Sequence, residues 1–380
     1  MSRRHPFFST FPLEDQRRHR AGVVAALDRV VDSGNYILGE ETAGFETEFG
    51  EFLGVDHVVG VGNGTDAIEL MLRALEAGAG SKVVLPAHAP SAVAAAVRRS
   101  GAEPVFADIE PDTFTLCPRS LDAVLRAHAG QGVRAVLAVH LYGHPASWED
   151  LRQTAEEHGV ALLEDVAQAH GAVWQGRMAG TLGTAAAFSF YPTKNLAACG
   201  DAGAVVCDDP AMAEKLRLLR QYGWREQERH VSTLDGVNTR LDEMQAAVLR
   251  VKLPFLPENM ARRQKLAGVY ERRLGKHGFL KTPGVRPGCE HAWHQYVVRC
   301  PRRDELARHL EGAGIPVAVH YPVPLHLQRA FQTETFVPLP HSEAAAREVV
   351  SLPLHPHLAE EAVSLVCDVI ESLKLSDAAS

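Results

Sequence analysis

The sequence predicts an α/β protein: a mostly parallel sheet flanked by helices, followed by a small C-terminal α+β domain. Three observations carry this. From about residue 55 to 210, short apolar runs alternate with helical patterns, as βαβ units require, since a parallel strand needs a crossover before the chain can re-enter the sheet. A long helical pattern from Leu241 to Leu274 is interrupted by Pro254 and Pro257; a proline inside a helix removes a donor and clashes with the preceding turn, so a boundary is expected there. Beyond it, one strand-like run, HQYVVRC, stands among amphipathic helical patterns. The division expected is residues 1–250 for the larger domain with its N-terminal segment and 251–380 for the smaller.

The apolar runs come in order as HVVGVG, KVVLP, EPVFADI, RAVLAVHLYG, VALLEDV and AAAFSFY, most of them followed by a helical pattern such as TDAIELMLRALEAG, SAVAAAVRRSG or SWEDLRQTAEEHG. In such sheets ligands bind beyond the carboxyl ends of the strands, so the site is expected where these runs stop. Composition sets the background. Hydrophobic residues make up 46% of the 380 and charged residues 23%, with a formal charge of -8, which fits a globular chain and argues against nucleic-acid binding. The six cysteines have no CxxC or framework spacing, so free thiols in a reducing cytoplasm are expected, with neither a disulfide nor a metal site. The N-terminus has arginines but no apolar core of signal-peptide length, and no run approaches the length of a membrane span.

Three strand ends carry residues that packing alone does not explain. In VVGVGNGTDAIELML, Gly60, Gly62 and Gly64 lead from a strand into a helix. Backbone N–H groups and the helix dipole there can hold a phosphate, although a tight turn would use the same glycines. A dinucleotide fingerprint would need glycine at Thr65 and a carboxylate where KVVLP ends in Pro86. Asp66, in the first helical turn, suits the dipole without facing an anion. In VALLEDVAQAHG, Asp165 ends an apolar strand, where a carboxylate is costly without a cationic partner; a helix cap is its plainer role. In SFYPTKNLAACGDAGAVV, Lys194 occupies a turn where a long cation gains nothing by packing. A phosphate cradle, a strand-end carboxylate and a turn lysine together meet the needs of a pyridoxal phosphate site, namely an anion hole, a partner for the ring nitrogen and an amine for a Schiff base.

On these motifs, together with GNYILGEETAGFETEFGEFLGV, GVNTRLDEMQAAVL and HYPVPLHLQ, the chain resembles the DegT/DnrJ/EryC1/StrS family of sugar aminotransferases along nearly its whole length. The resemblance implies a fold type I enzyme that uses pyridoxal 5'-phosphate to move an amino group from glutamate to a nucleotide-linked keto sugar, with a 3-keto-6-deoxyhexose expected. It implies that Lys194 carries the cofactor, Asp165 meets the ring nitrogen, Gln168 bonds the ring hydroxyl, and Gly64, Thr65 and Ser189 bind the phosphate. It also implies a homodimer with shared sites, in which Asn238 reaches the phosphate of the neighbouring subunit.

One departure stands out: where the family carries Thr followed by an aromatic residue, this chain has Ala89-Pro90. Without that ring, either His88 turns towards the cofactor or Ala89 and Pro90 offer only an apolar face. Candidate substrate contacts are His88, Arg225, Arg229, Arg240, His320, Tyr321 and His326, each of which has a plainer role on a solvated face or in packing. Two further readings are a cofactor-binding regulator without turnover and another fold type I enzyme, such as a desulfurase, for which no nucleophilic cysteine stands out; Cys199, in AACGD, lacks a cationic setting.

Overall fold

The computed structural model describes residues 8, 11–225, 228–332 and 337–373, without the side chain of Arg229. Its centre is a seven-stranded sheet of β1 (His57–Val61), β2 (Lys82–Pro86), β3 (Glu103–Ala107), β4 (Val133–Val139), β5 (Ala161–Asp165), β6 (Ala186–Ser189) and β7 (Gly203–Cys207), in the order β1-β7-β6-β5-β4-β2-β3. Strands β3, β2, β4, β5 and β6 run parallel, and β7 is antiparallel to both β6 and β1. Because β7 reverses between them, β1 points the same way as β5 and β6. Val61, Asp165 and Ser189 therefore end at one edge of the sheet.

The strands are apolar on both faces, as strands covered by helices on either side must be. One face packs Val59, Val61, Leu85, Leu137, Leu163 and Val205 into a core with helices α3 (Gly64–Ala74), α4 (Ser91–Arg99) and α7 (Pro210–Leu219). The β1 and β6 side of the other face meets α2 (Glu40–Leu53) and α8 (Glu243–Lys252) through Phe45, Phe49, Phe188, Phe190 and Leu249. The phenylalanines of α2 meet Phe188 and Phe190 edge to face, with Phe49 and Phe188 centroids 5.1 Å apart at 90°, the geometry that ring quadrupoles favour.

The proline-broken pattern resolves into α8, a 3-10 turn at Leu253–Phe255 and α9 (Leu256–Leu274). A separate core joins the second half of α9, from Leu266, to an antiparallel pair, β8 (Tyr296–Arg299) and β9 (Val349–Leu352), and to α10 (Arg303–Gly312) and α12 (Glu360–Ser372). Buried Arg263 on α9 ties this unit to the chain around the site, donating to the carbonyls of Trp293 (3.0 Å), His294 (3.3 Å) and Leu354 (3.3 Å). Among the described residues no helix is long and apolar enough to cross a membrane, and all six cysteines are free thiols.

Candidate active site

The edge of the sheet opens into a cavity of about 450 Å3, lined by residues that include Gly64, Thr65, Asp165, Ser189 and Lys194. Three separate loops supply them. Asn63 caps α3 by accepting the Asp66 N–H (2.9 Å), which places Gly64 and Thr65 in the first helical turn, where backbone N–H groups lack intrahelical acceptors. The Asp66 carboxylate is engaged by its neighbours: it accepts the Thr239 hydroxyl (2.6 Å) and pairs with Arg99 (2.8 Å), which itself lines the cavity.

Two glycines make this arrangement possible. A Cβ on Gly203, at the start of β7, would lie 2.5 Å from the carbonyl carbon of Asn63, and a Cβ on Gly64 would lie 2.6 Å from the Cβ of Ser189. Only missing side chains let the start of α3 sit directly on the ends of β6 and β7.

Asp165 is 3% exposed and accepts the Ala167 N–H at 2.9 Å. Burial pushes its carboxyl above the ordinary carboxylate range, while that hydrogen bond and the charge of Lys194 pull it back. Lys194, half-buried, responds in the opposite sense: burial lowers its ammonium below the usual lysine range and the Asp165 carboxylate partly restores it. Its turn is secured on several sides. The Lys194 N–H donates to Tyr191 O (2.8 Å), the Asn195 amide to Ala292 O (2.9 Å), and Lys252, itself 2.6 Å from Asp15, to Ala197 O (2.9 Å).

Next to Asp165, the fully buried Glu164 holds the segment that leads into β6, accepting N–H groups from Gly180 (2.7 Å), Leu182 (2.8 Å) and Gly183 (2.8 Å) and meeting His140 Nε2 at 2.9 Å. Gln168 stands three residues beyond Asp165, its Oε1 accepting the Tyr142 N–H (2.7 Å) and its Nε2 donating to Tyr321 Oη (3.0 Å).

The other sequence candidates stand elsewhere. His88 is fully buried against Tyr142 Oη (2.8 Å), outside the cavity wall; Pro90, Ala92 and Val93 form the apolar face there. Asn238 is exposed, in an isolated antiparallel bridge with Gln221. Arg225 is exposed, Arg240 stacks over Tyr222 at 5.8 Å, and the Arg229 side chain lies outside the described residues. His320 Nδ1 meets Ser351 Oγ (2.8 Å), and buried His326 lies 3.5 Å from Glu343. Sequence reasoning passed over Tyr191 and Asp201, which line the cavity, and Tyr142, which holds Gln168. Tyr191 and Asp201 stand in the quoted lysine segment, but nothing in their residue type signalled a site. Tyr142 acts through its backbone, which gives no sequence signal.

Known proteins resemble the chain throughout. The model of the DegT/DnrJ/EryC1/StrS aminotransferase family matches residues 18–371. A dTDP-3-amino-3,4,6-trideoxy-alpha-D-glucose transaminase of Streptomyces venezuelae is 45% identical over 92% of each chain. The erythromycin biosynthesis sensory transduction protein EryC1 of Saccharopolyspora erythraea is 46% identical over 93% of this chain and 95% of its own. The crystal structure of S. venezuelae DesV in complex with a ketimine intermediate superposes with a TM-score of 0.92 at 44% identity, covering 97% of this chain and 98% of that one. A family match of this extent, on a fold shared almost end to end, leads to one conclusion: the chain belongs to the DegT/DnrJ/EryC1/StrS aminotransferase family and is a sugar aminotransferase of fold type I.

Proposed function

We propose that the protein transfers an amino group from glutamate to the keto carbon of a nucleotide-linked 3-keto-6-deoxyhexose, using pyridoxal 5'-phosphate held at Lys194. The observation that carries this is the meeting of Lys194, Asp165, Ser189 and the start of α3 in one cavity. The residues fit the cofactor's chemistry. The gap left by the missing Gly64 Cβ beside Ser189 brings backbone N–H groups and a hydroxyl together at a helix N-terminus, which suits a phosphate. A carboxylate whose pKa burial raises, with Lys194 only partly offsetting that burial, suits a protonated ring nitrogen.

When bound, pyridoxal phosphate supplies an electron sink and a carrier for the amino group. The chain's own residues do the rest. Burial favours the neutral amine of Lys194, the form able to make a covalent bond to a carbonyl. Once released, the Lys194 amine would be placed to take a proton from the substrate carbon and return it. Asp165 keeps the ring nitrogen protonated, and Gln168 donates to the ring hydroxyl through Nε2. Gly64, Thr65 and Ser189 anchor the phosphate, joined in a homodimer by Asn238 from the neighbouring subunit. The exposure of Asn238, away from its own subunit's cavity, supports that reading. Its relatives' names, one a dTDP-amino-sugar transaminase, support the substrate class.

The test pairs two measurements. Borohydride treatment of the purified yellow protein, followed by peptide mapping, should leave the cofactor on Lys194. Incubation with glutamate and a panel of keto-sugar nucleotides should give an amino sugar. An adduct on another lysine would overturn the site, and an intact adduct with no turnover on any keto sugar would favour a regulator instead.

A further inference from the structure

His88 is completely buried, yet it serves neither the cavity wall nor any ion pair shorter than 4 Å among the described residues. Its hydrogen bonding can be worked out from the protons available. The Tyr142 hydroxyl has one proton and donates it to the carbonyl of His320, because a carbonyl can only accept. The contact between His88 Nε2 and Tyr142 Oη, 2.8 Å, must then be a donation from Nε2–H. That leaves Nδ1 without its proton, and among the described residues it has no partner. Burial keeps the ring neutral, pushing its pKa down to about 4.

Tyr142 is held in a left-handed conformation, φ 59°, uncommon for a residue with a side chain. Through that geometry its N–H donates to Gln168 Oε1 at 2.7 Å. Since an N–H can only donate, the bond settles which end of the Gln168 amide is oxygen. The Nε2 end is turned to Tyr321, whose hydroxyl takes one of its two protons at 3.0 Å and lies close enough to Asp165 to feel its charge. The second Nε2 proton has no acceptor among the described residues.

We propose that His88 is a positioning residue: by donating to the Tyr142 hydroxyl it holds the tyrosine whose backbone N–H orients the Gln168 amide, so that Gln168 presents a donor to the cofactor's ring oxygen. This rests on the function proposed above. The chain of contacts runs from the end of β2 through Tyr142 to the loop after β5, and it bears on the cofactor without touching it. A donor at the ring oxygen withdraws charge that would otherwise help the neighbouring nitrogen, through which Lys194 holds the cofactor, to keep its proton. Weakening the donor therefore raises the pH at which the bound cofactor changes colour.

The experiment uses full-length protein loaded with pyridoxal phosphate. His88→Phe keeps the ring's bulk and removes the donor. It should raise the midpoint of the cofactor's colour change and lower kcat by roughly fivefold to tenfold, the size of one lost hydrogen bond, with KM for glutamate little changed. Its apo-protein should melt no lower than wild type, since the substitution also removes a buried nitrogen without a partner. His88→Gln, whose amide nitrogen reaches near the position of the histidine Nε2, should restore both midpoint and kcat. Tyr142→Phe should shift the midpoint in the same direction, and adding His88→Phe to it should add little. A His88→Phe protein with wild-type midpoint and kcat, or a His88→Gln protein as impaired as His88→Phe, would overturn the proposal. If borohydride fails to fix cofactor to Lys194 in the wild-type protein, the underlying reading fails with it; a normal adduct with a flat His88 series overturns this proposal alone.

Discussion

Gly64 lies so close to Ser189 that a Cβ on the glycine would sit 2.6 Å from the Cβ of the serine. Its backbone is not left-handed, so alanine there would be acceptable to the helix and unacceptable only to Ser189. Gly64→Ala should therefore fold and still bind cofactor more weakly, by roughly tenfold or more, as the start of α3 and Ser189 move apart to relieve an overpacking cost of about 1–3 kcal/mol. Fluorescence titration of the apo-protein with pyridoxal phosphate measures this, and wild-type affinity would show that the phosphate lies elsewhere.

Replacing Asp165 by Asn keeps the shape and removes the charge. The neutral amide cannot hold the ring nitrogen protonated, so the variant should retain cofactor while turnover falls by about two to three orders of magnitude, comparable to loss of a key electrostatic donor. Steady-state kinetics on cofactor-saturated protein decide the matter. Turnover near that of wild type would reduce Asp165 to a loop cap held by the Ala167 N–H.

Acid should unfold this protein through its histidines. Burial holds His88 and His144 at about 4 and His170 at about 3, and keeps His291 and His294 well below the ordinary value. In the unfolded chain these rings protonate near pH 6.5, so between pH 6.5 and 4 the unfolded state binds more protons and stability falls as the pH is lowered. Each fully affected ring contributes about 1.4 kcal/mol per pH unit. Denaturant midpoints measured at pH 7, 6 and 5 should drop with increasing slope, whereas equal midpoints would mean that the rings are solvated or already charged.

A shared site makes a distinctive heterodimer. Mixing wild-type chains with chains carrying both Lys194→Ala and Asn238→Ala leaves one Lys194 per heterodimer, in a site deprived of the partner's amide. That site should bind cofactor weakly, and pyridoxal phosphate should tighten the wild-type dimer by linkage. Cofactor bound by the heterodimer as tightly as by wild type would leave Asn238 no role across an interface.

What the sequence alone determined here is whatever leaves a local chemical anomaly. A lysine in a small-residue turn, a carboxylate ending an apolar strand and glycines between strand and helix each conflict with their surroundings, and Lys194, Asp165, Gly64 and Ser189 do meet in one cavity. Strands β1 to β6 were legible for a related reason, since apolar runs bounded by turn residues follow from local pattern, whereas β7 was not read. Other features depend on partners distant in sequence. The N-terminus of α2 has no side-chain cap of its own; Glu243, more than 200 residues later, accepts the N–H groups of Gly39, Glu41 and Thr42. Likewise, Glu164 reads as one more carboxylate beside Asp165 until the fold brings His140 and the Gly180–Gly183 loop around it. Nothing in the apolar run at β7 shows that it lies antiparallel between β1 and β6, nor does a histidine after a strand show that it bonds to Tyr142. A buried polar group must find a partner, but which partner it finds is set by the packing of the whole chain, and so only the tertiary structure decided these contacts.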